Sequence, residues 1–254
     1  MLNISKNLKY LLFLGSGRTG STLVGQLLNN HPEMLITNET RILQKSYKEN
    51  KKISNYIESL VYTAYETMKK GTIQYDRIDK KDNQKRWQRD WTDSSKLSIL
   101  EKKEIKYIGD KKQGGNTSLL IENKEKIINL IDIDFLPVTV VRDPAQVFKS
   151  YLILNNNIKS PSDGDFIKHM IAGIDYVKEN KGIIINYNLL IEDVDYWCED
   201  LCKKLNIEND LKWLSIVKDI VKFDKTHYIM TKDEEDYLYS LNNYENLVKK
   251  IKEK

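Results

Sequence analysis

The chain of 254 residues carries 41 basic and 37 acidic side chains, which gives a formal net charge of +4. This near-balance excludes the concentrated basic composition expected of a nucleic-acid-binding protein, so we predict no nucleic-acid partner. The length is sufficient to bury a core without metal or disulfides, and no apolar run approaches the roughly 20 residues that span a bilayer.

The organisation of the chain favours a single domain over residues 1–254, because no linker rich in Pro, Gly or Ser divides it. Lys6 and Lys9 precede a short apolar run that faintly imitates a signal peptide, but the run leads into a glycine loop instead of a cleavage site. We therefore expect a soluble, cytoplasmic protein. Cys198 and Cys202 have no zinc spacing and are predicted to be structural.

A strand, a glycine loop and a helix open the chain. Tyr10–Leu14 is apolar enough for a buried strand, and Thr22–Asn30 has helical spacing. Together they resemble the first unit of a nucleotide-binding α/β fold. Pro32 ends the helix, because a proline disfavours helical geometry at the residue before it. Met34–Thr37 predicts a second strand.

The later elements continue the alternation of strands and helices. Residues 41–100 are polar with a helical pattern and predict an inserted subdomain or lid, in which Trp87 and Trp91 receive no role. Further strands are predicted at Lys106–Gly109, Pro137–Val141 and Gly182–Tyr187, and helices at Asn116–Ile131, Pro144–Leu154, Ser162–Glu179, Leu189–Leu205 and from Asp233 onward. This order predicts an α/β fold of the P-loop type, with a mostly parallel sheet flanked by helices and ligands at the carboxyl ends of its strands.

The glycine loop Gly15-Ser16-Gly17-Arg18-Thr19-Gly20-Ser21-Thr22 predicts a phosphate site. Its glycines let successive N–H groups converge on one anion at the start of the following helix. A Walker A loop has lysine after the last glycine, which reaches the β- and γ-phosphates. Here that position is Ser21, and the basic residue lies inside the loop as Arg18. The alternative is a tight turn that binds nothing.

A second anion site is predicted after the strand Pro137–Val141. Arg142 offers a planar fork to a phosphate, and Ser150 lies about two turns into the helix that begins near Pro144. The alternative is a structural ion pair of Arg142 with Asp143 or Asp110.

These two motifs together resemble the sulfotransferases that use 3′-phosphoadenosine-5′-phosphosulfate (PAPS). In that family a loop often written R-S-G-T-T grips the 5′-phosphosulfate, and this chain has Arg18-Thr19-Gly20-Ser21-Thr22. The family also has an Arg and, eight residues later, a Ser on the 3′-phosphate, as in Arg142 and Ser150. The resemblance implies cofactor contacts at Gly17, Arg18, Thr19, Gly20, Ser21, Thr22, Arg142 and Ser150. It also implies an aromatic contact near the adenine at Tyr187, for which a buried core tyrosine is the alternative. Lys225 and Thr226 are further predicted cofactor contacts, with a plain surface loop as the alternative.

A third stretch, Asn38-Glu39-Thr40-Arg41, resembles the E-E-T-R segment of the tyrosylprotein sulfotransferase branch, with Asn38 in place of the first Glu. The resemblance implies that Glu39 is the general base and that Lys111, with Arg18, stabilises charge on the departing nucleotide. Two alternatives remain. Asn38 or Thr40 caps a helix starting at Arg41, or His31 is a rival base, although a packing role suits His31 better.

The expected activity is sulfuryl transfer from PAPS to an acceptor hydroxyl, leaving adenosine 3′,5′-bisphosphate, with no metal. Positioning and electrostatics dominate such a transfer. The acceptor stays open among a small molecule, a glycan and a peptide, including a tyrosine, a phenol or a sugar. Oligomeric state and the role of His227 are also open. The competing hypotheses are a degenerate P-loop kinase and a non-catalytic nucleotide-binding protein.

Overall fold

The computed structural model describes residues 3–70, 102–154, 165–221 and 228–253. Several predicted features lie outside these ranges: Trp87, Trp91, Lys225, Thr226 and His227.

A five-stranded parallel sheet forms the centre of the described chain, in the order β2-β3-β1-β4-β5. The strands are β1 (Ile4–Leu14), β2 (Met34–Asn38), β3 (Ile105–Lys111), β4 (Phe135–Val141) and β5 (Ile183–Asn186). Each predicted strand is present. With the helices that flank the sheet, this confirms the predicted α/β class.

Helices fill the connections between the strands and form the carboxyl-terminal part of the chain. They are α1 (Ser21–Asn29), α2 (Ile42–Glu49), α3 (Ile57–Lys70), α4 (Gln113–Leu130), α5 (Pro144–Leu154), α6 (Asp165–Glu179), α7 (Tyr187–Glu192), α8 (Val194–Leu205), α9 (Leu211–Val221), α10 (Lys232–Ser240) and α11 (Tyr244–Lys252). The helix predicted over Leu189–Leu205 is two helices, because Asp193 leaves helical geometry and its side chain caps α8 at the N–H of Tyr196.

The central strand β1 divides the core into two faces. Leu11 and Phe13 pack with α1, α8 and α9 on one face, whereas Tyr10, Leu12 and Leu14 pack with α2, α3 and α4 on the other. All five side chains are fully buried. A strand covered on both faces has a continuous apolar run instead of an alternating one, which is why Tyr10–Leu14 was recognisable in the sequence.

The described part of the predicted insert is helical, but it is not a lid. Ile42 and Leu43 of α2, Leu60 and Ala64 of α3 and Ile53 of the short 3-10 helix between them are buried in the core beneath β1. The polar composition of the segment concealed this role, since only one side of each helix is apolar. Within the described ranges, no helix combines the length and the apolar character needed to cross a membrane.

The carboxyl edge of the sheet gathers the predicted site residues. Strands β3, β1 and β4 are neighbours and end at Lys111, Leu14 and Val141. The glycine loop follows the middle strand, and Arg142 follows the strand on one side of it. Ligands of open parallel sheets bind at this edge.

Candidate functional site

The glycine loop has the backbone geometry of an anion site. Gly15, Arg18 and Gly20 have φ values of 108°, 64° and 86°, so the chain turns sharply between β1 and α1. The first hydrogen bond of α1 runs from the N–H of Val24 to the carbonyl of Gly20 at 3.1 Å. The N–H groups of Ser21 and Thr22 are therefore not used within the helix, and they lie at its positive end.

Helix α4 holds the glycine loop in place. The Thr19 hydroxyl donates to Gln113 Oε1 at 2.9 Å, and Gln113 Nε2 donates to the Leu14 carbonyl at 2.6 Å. The Gly15 N–H donates to Thr117 Oγ1 at 2.7 Å. Thr19, Gln113 and Thr117 are all buried. Gln113 and Thr117 were missed in the sequence, because polar residues at the start of a helix also occur as ordinary caps.

The two predicted anion motifs meet in the structure. Arg18 Nε donates to Ser150 Oγ at 3.0 Å, although 132 positions separate them in the chain. Ser150 lies in α5, which begins at Pro144 as predicted, and its side chain is buried. The glycine loop and α5 therefore form one continuous polar surface.

Arg142 packs against Tyr187, and the Tyr187 ring in turn packs against the glycine loop. Its guanidinium carbon lies 4.7 Å from the ring centroid of Tyr187 and 5.8 Å from that of Tyr228. The Tyr187 ring packs against the loop so closely that a Cβ on Gly20 would lie 2.1 Å from it. Arg142, Tyr187 and Gly20 are thus in sequential contact. Tyr187 begins α7 and is buried against the loop.

The Tyr151 hydroxyl is a further group on the loop that sequence reasoning missed. It lies 3.1 Å from Ser16 Oγ. Burial raises the pKa of Tyr151, whereas the Ser16 hydroxyl, the Arg18 charge and the Gly17 backbone act in the opposite direction. Tyr151 belongs to no motif recognised in the sequence. Its contact with the loop is known only from the packing of α5 on the loop.

Glu39 is held by two lysines. Lys111 Nζ lies 3.1 Å from Glu39 Oε1, and Lys112 Nζ lies 2.9 Å from Oε2. The same Lys111 ammonium donates to Thr22 Oγ1 at 2.9 Å. Lys111 therefore connects the carboxylate to the first turn of α1. The sequence suggested Lys111 and Glu39 but not Lys112, which belongs to none of the motifs recognised in the sequence.

The charges around Glu39 determine its protonation. Burial alone raises the pKa of this carboxyl, but Lys111 and Lys112 outweigh burial and lower the pKa to about 2. Burial lowers the pKa of Lys111, and Glu39 counteracts that change. Glu39 is consequently a carboxylate at neutral pH. While both lysines bind it, it is a weak proton acceptor.

Asp110 shapes the turn that presents Glu39. Its Oδ1 accepts from the N–H of Thr40 at 2.9 Å, and its Oδ2 accepts from the N–H of Ile42 at 3.2 Å. Glu39 and Arg41 both have a φ of 58°, a left-handed conformation that is uncommon for residues with a side chain. Asp110 thus caps α2, and the alternative cap by Asn38 or Thr40 is wrong.

Three other residues considered in the sequence, His31, Cys198 and Cys202, are buried in the packed interior of the protein. His31 is buried edge-on against the Trp213 ring at 4.8 Å, and burial lowers its pKa to about 4. It is packed at the carboxyl end of α1, which agrees with a packing role. Cys198 and Cys202 are buried thiols, and burial raises the pKa of each to about 12.

The polar surface contains donors in excess of acceptors. Loop N–H groups, hydroxyls, Arg18, Arg142 and Lys111 lie at one edge of the sheet, and the Glu39 carboxylate lies among them and binds Lys111. This donor set fits an anion with phosphate groups. Across the described ranges, no group of three or more His, Cys, Asp or Glu side chains is arranged to hold a metal ion.

Comparison with solved structures finds folds that resemble this chain at low sequence identity. The sulfotransferase domain from the curacin biosynthetic pathway is 13% identical with a TM-score of 0.46, covering 92% of this chain and 98% of that one. The sulfotransferase domain from the Synechococcus PCC 7002 olefin synthase is 12% identical with a TM-score of 0.46, covering 94% and 95%. Sulfotransferase STF9 from Mycobacterium avium is 10% identical with a TM-score of 0.48, covering 94% and 78%.

Comparisons by sequence find no relative. No protein-family model matches the chain, and no curated protein matches it. The function is therefore inferred from the contacts within the chain itself.

Proposed function

We propose that the chain is a sulfotransferase that moves the sulfuryl group of PAPS to the hydroxyl of an acceptor. The observation that carries this proposal is the hydrogen bond between Arg18 and Ser150, at 3.0 Å. It joins the loop proposed for the 5′-phosphosulfate to the helix proposed for the 3′-phosphate. A ligand phosphorylated at both positions would bind across this junction.

The loop chemistry favours this donor over a nucleoside triphosphate. Ser21 occupies the position where a Walker A loop has its lysine. The nearest substitute is Lys111, which comes from β3 and binds Thr22 at 2.9 Å. Its charge therefore lies beside the first turn of α1 and also contacts Glu39. A lysine in this position is suited to a reaction in which a leaving group and a base are adjacent.

The proposed reaction forms a bond from the acceptor oxygen to sulfur and breaks the bond from sulfur to the bridging phosphate oxygen. PAPS supplies an activated sulfuryl group and a phosphate leaving group. Glu39 takes the acceptor proton, and Lys111 and Arg18 neutralise the charge left on the phosphate side. The N–H groups of the loop orient the donor. Proton acceptance by Glu39 requires weaker contact with its lysines than the structure has.

We propose only that the acceptor group is a hydroxyl, carried by a small molecule, a glycan or a peptide. The tyrosylprotein-like segment Asn38–Arg41 makes a tyrosine-containing peptide one of the acceptors to test. The side chains of Asn38 and Arg41 have buried polar atoms without a hydrogen-bond partner in the described chain. These atoms lie beside Glu39, where an acceptor with polar substituents would bind.

The first experiment compares nucleotides. We expect adenosine 3′,5′-bisphosphate to raise the Tm more than ATP with Mg²⁺ does. Arg142→Ala and Ser150→Ala should reduce the preference, because both residues are proposed to contact the 3′-phosphate. Equal or stronger stabilisation by ATP with Mg²⁺ would support a kinase instead.

The second experiment measures transfer. Sulfur-labelled PAPS is incubated with tyrosine peptides, simple phenols, sugars and hydroxy acids, and transfer of label to any acceptor hydroxyl is expected. Tight bisphosphate binding with no transfer to any member of this panel would favour the non-catalytic hypothesis.

A further inference from the structure

Neither the sequence nor the proposed mechanism gives a role to Lys112, although it binds Glu39. It follows the last residue of β3 and precedes α4, and its ammonium lies 2.9 Å from Glu39 Oε2. Its side chain is 21% exposed and that of Glu39 is 27% exposed, so the pair lies at the mouth of the site. Lys111 binds the other oxygen and is almost fully buried.

The two lysines differ in what else they contact. Lys111 donates to Thr22 in the first turn of α1, whereas Lys112 donates to Glu39. A phosphate bound at α1 would attract the Lys111 ammonium, because that ammonium already lies on the loop side. Within the described part of the chain, Lys112 makes no hydrogen bond to the loop. Binding of an anion would therefore weaken the bond of Glu39 to Lys111 and leave its bond to Lys112.

We propose that Lys112 is a positioning residue that keeps Glu39 oriented toward the acceptor while Lys111 serves the leaving phosphate. This inference rests on the proposed sulfotransferase function. Glu39 has one oxygen bound by each lysine, so loss of the Lys111 bond frees Oε1 for the acceptor proton. Oε2 stays bound to Lys112, which fixes the plane of the carboxylate. The turn below it is independently fixed by Asp110.

The charged groups around Glu39 determine the pH dependence. Lys111 faces it from the end of β3 and Lys112 from the residue that follows, Arg41 follows Glu39 on its own turn, and Asp110 lies beneath with both oxygens bound to backbone N–H groups. Each lysine lowers the pKa of Glu39, whereas burial raises it. Removing the Lys112 charge therefore raises the pKa. Because the base must be ionised, the acid limb of the rate then moves to higher pH.

The test uses Lys112→Met with the best acceptor from the labelled-PAPS panel. We expect kcat/KM for the acceptor to fall about 10- to 100-fold, as for a misplaced catalytic group. The acid limb of its pH profile should rise by about one unit. Lys112→Arg should restore the pH profile, since it restores the charge. Binding of adenosine 3′,5′-bisphosphate should change less than about threefold, because an exposed ion pair contributes little elsewhere.

The matched control is Lys106→Met. Lys106 lies at the start of β3, at the end of the strand away from Lys112, and binds Glu33 at 2.5 Å. It should leave kcat/KM and the pH profile unchanged. If Lys112→Met does not fold, as judged by circular dichroism, Lys112→Gln removes the charge while keeping a polar side chain of similar length.

The outcomes separate this inference from the proposed function. Wild-type transfer with an unchanged kcat/KM and pH profile in the folded Lys112 variant would overturn the role of Lys112 alone. A loss of rate without any pH shift, not restored by Lys112→Arg, would also overturn it. No transfer by the wild type, with ATP preferred over the bisphosphate, would overturn the sulfotransferase proposal itself.

Discussion

The two ends of α1 differ in how their backbone groups are bonded. A side chain of the protein binds carbonyls at the carboxyl end, which we call the closed end, whereas the first N–H groups at the amino end, the open end, are not bonded within the helix. At the carboxyl end, Lys102 Nζ donates to the carbonyls of Asn29, His31 and Met34 at 2.5, 2.7 and 2.6 Å. At the amino end, the N–H groups ahead of Val24 have no bond within the helix. Helix ends leave backbone groups that need partners. One end obtains them from the chain's own side chain, and the other has them available for a ligand.

This difference shows that a polar cluster is not by itself a site. Lys102 and Lys111 are both lysines at an end of α1, but Lys102 donates to three backbone carbonyls. Lys111 donates to the Thr22 hydroxyl and to the Glu39 carboxylate, and each of these side chains can bind a ligand in place of Lys111.

The largest effect is expected for Glu39→Gln. The amide cannot accept the acceptor proton, so transfer should fall by about 10²- to 10⁴-fold, the usual contribution of a general base. Labelled-PAPS transfer measures it, and calorimetry with adenosine 3′,5′-bisphosphate is the control, because binding at the loop does not require the proton acceptor. Wild-type transfer by Glu39→Gln would remove Glu39 from the mechanism.

A smaller effect is expected for Arg142→Ala on cofactor binding. Loss of one charged donor to a phosphate should weaken binding of adenosine 3′,5′-bisphosphate by about 10- to 100-fold, as expected for a charge-assisted hydrogen bond. Adenosine 5′-monophosphate, which lacks the 3′-phosphate, is the matched ligand and should bind both proteins alike. Equal losses for the two ligands would show that Arg142 stabilises the loop through Tyr187 and does not bind the 3′-phosphate.

The closed end of α1 is tested by Lys102→Met. The change leaves three carbonyls without this donor and should lower the free energy of unfolding by about 3 kcal/mol. Urea denaturation gives this value. Bisphosphate binding by the folded fraction should stay at the wild-type level, since Lys102 is at the other end of the helix. Weaker binding in this variant would mean that the two ends are coupled.

The smallest effect is the pH dependence of stability that Glu39 contributes. Lys111 and Lys112 lower its pKa in the folded protein from 4.5 to about 2. A carboxyl with a lowered pKa stabilises the fold fully above its unfolded pKa and loses that contribution as the pH falls through the folded pKa. The difference in unfolding free energy between wild type and Glu39→Gln should therefore shrink between pH 5 and about 2. A difference in unfolding free energy that stays constant over this pH range would contradict the ion pairs of Glu39 with Lys111 and Lys112.

Several features of the fold and site could be predicted because they depend on neighbouring residues. The run Tyr10–Leu14 predicts a strand buried on both faces, and Pro144 predicts the start of α5. The described part of 41–100 was misjudged, because its core residues, such as Leu60 and Ala64, are spread over helices whose remaining surface is polar. Helix α9 was not predicted, although Trp213 in its first turn is fully buried.

The residues that complete the site were harder to predict. Asp110, Lys112 and Gln113 bind partners that are 70, 73 and 94 positions away in the chain, and none belongs to a recognisable motif. Their partners are determined by which strands are neighbours. Hydrophobic periodicity reports which residues are buried, but not which strand lies beside which.

The strand–loop–helix unit at Gly15–Thr22 and the Arg142–Ser150 spacing can be recognised in the sequence, because both depend on local backbone conformation and on the helical repeat. The contacts of Arg18 with Ser150 and of Lys111 with Thr22 and Glu39 depend instead on the packing of distant segments. They form because β3 and β4 pair with opposite edges of β1. That arrangement brings distant segments to one edge of the sheet, and no local pattern in the chain encodes it.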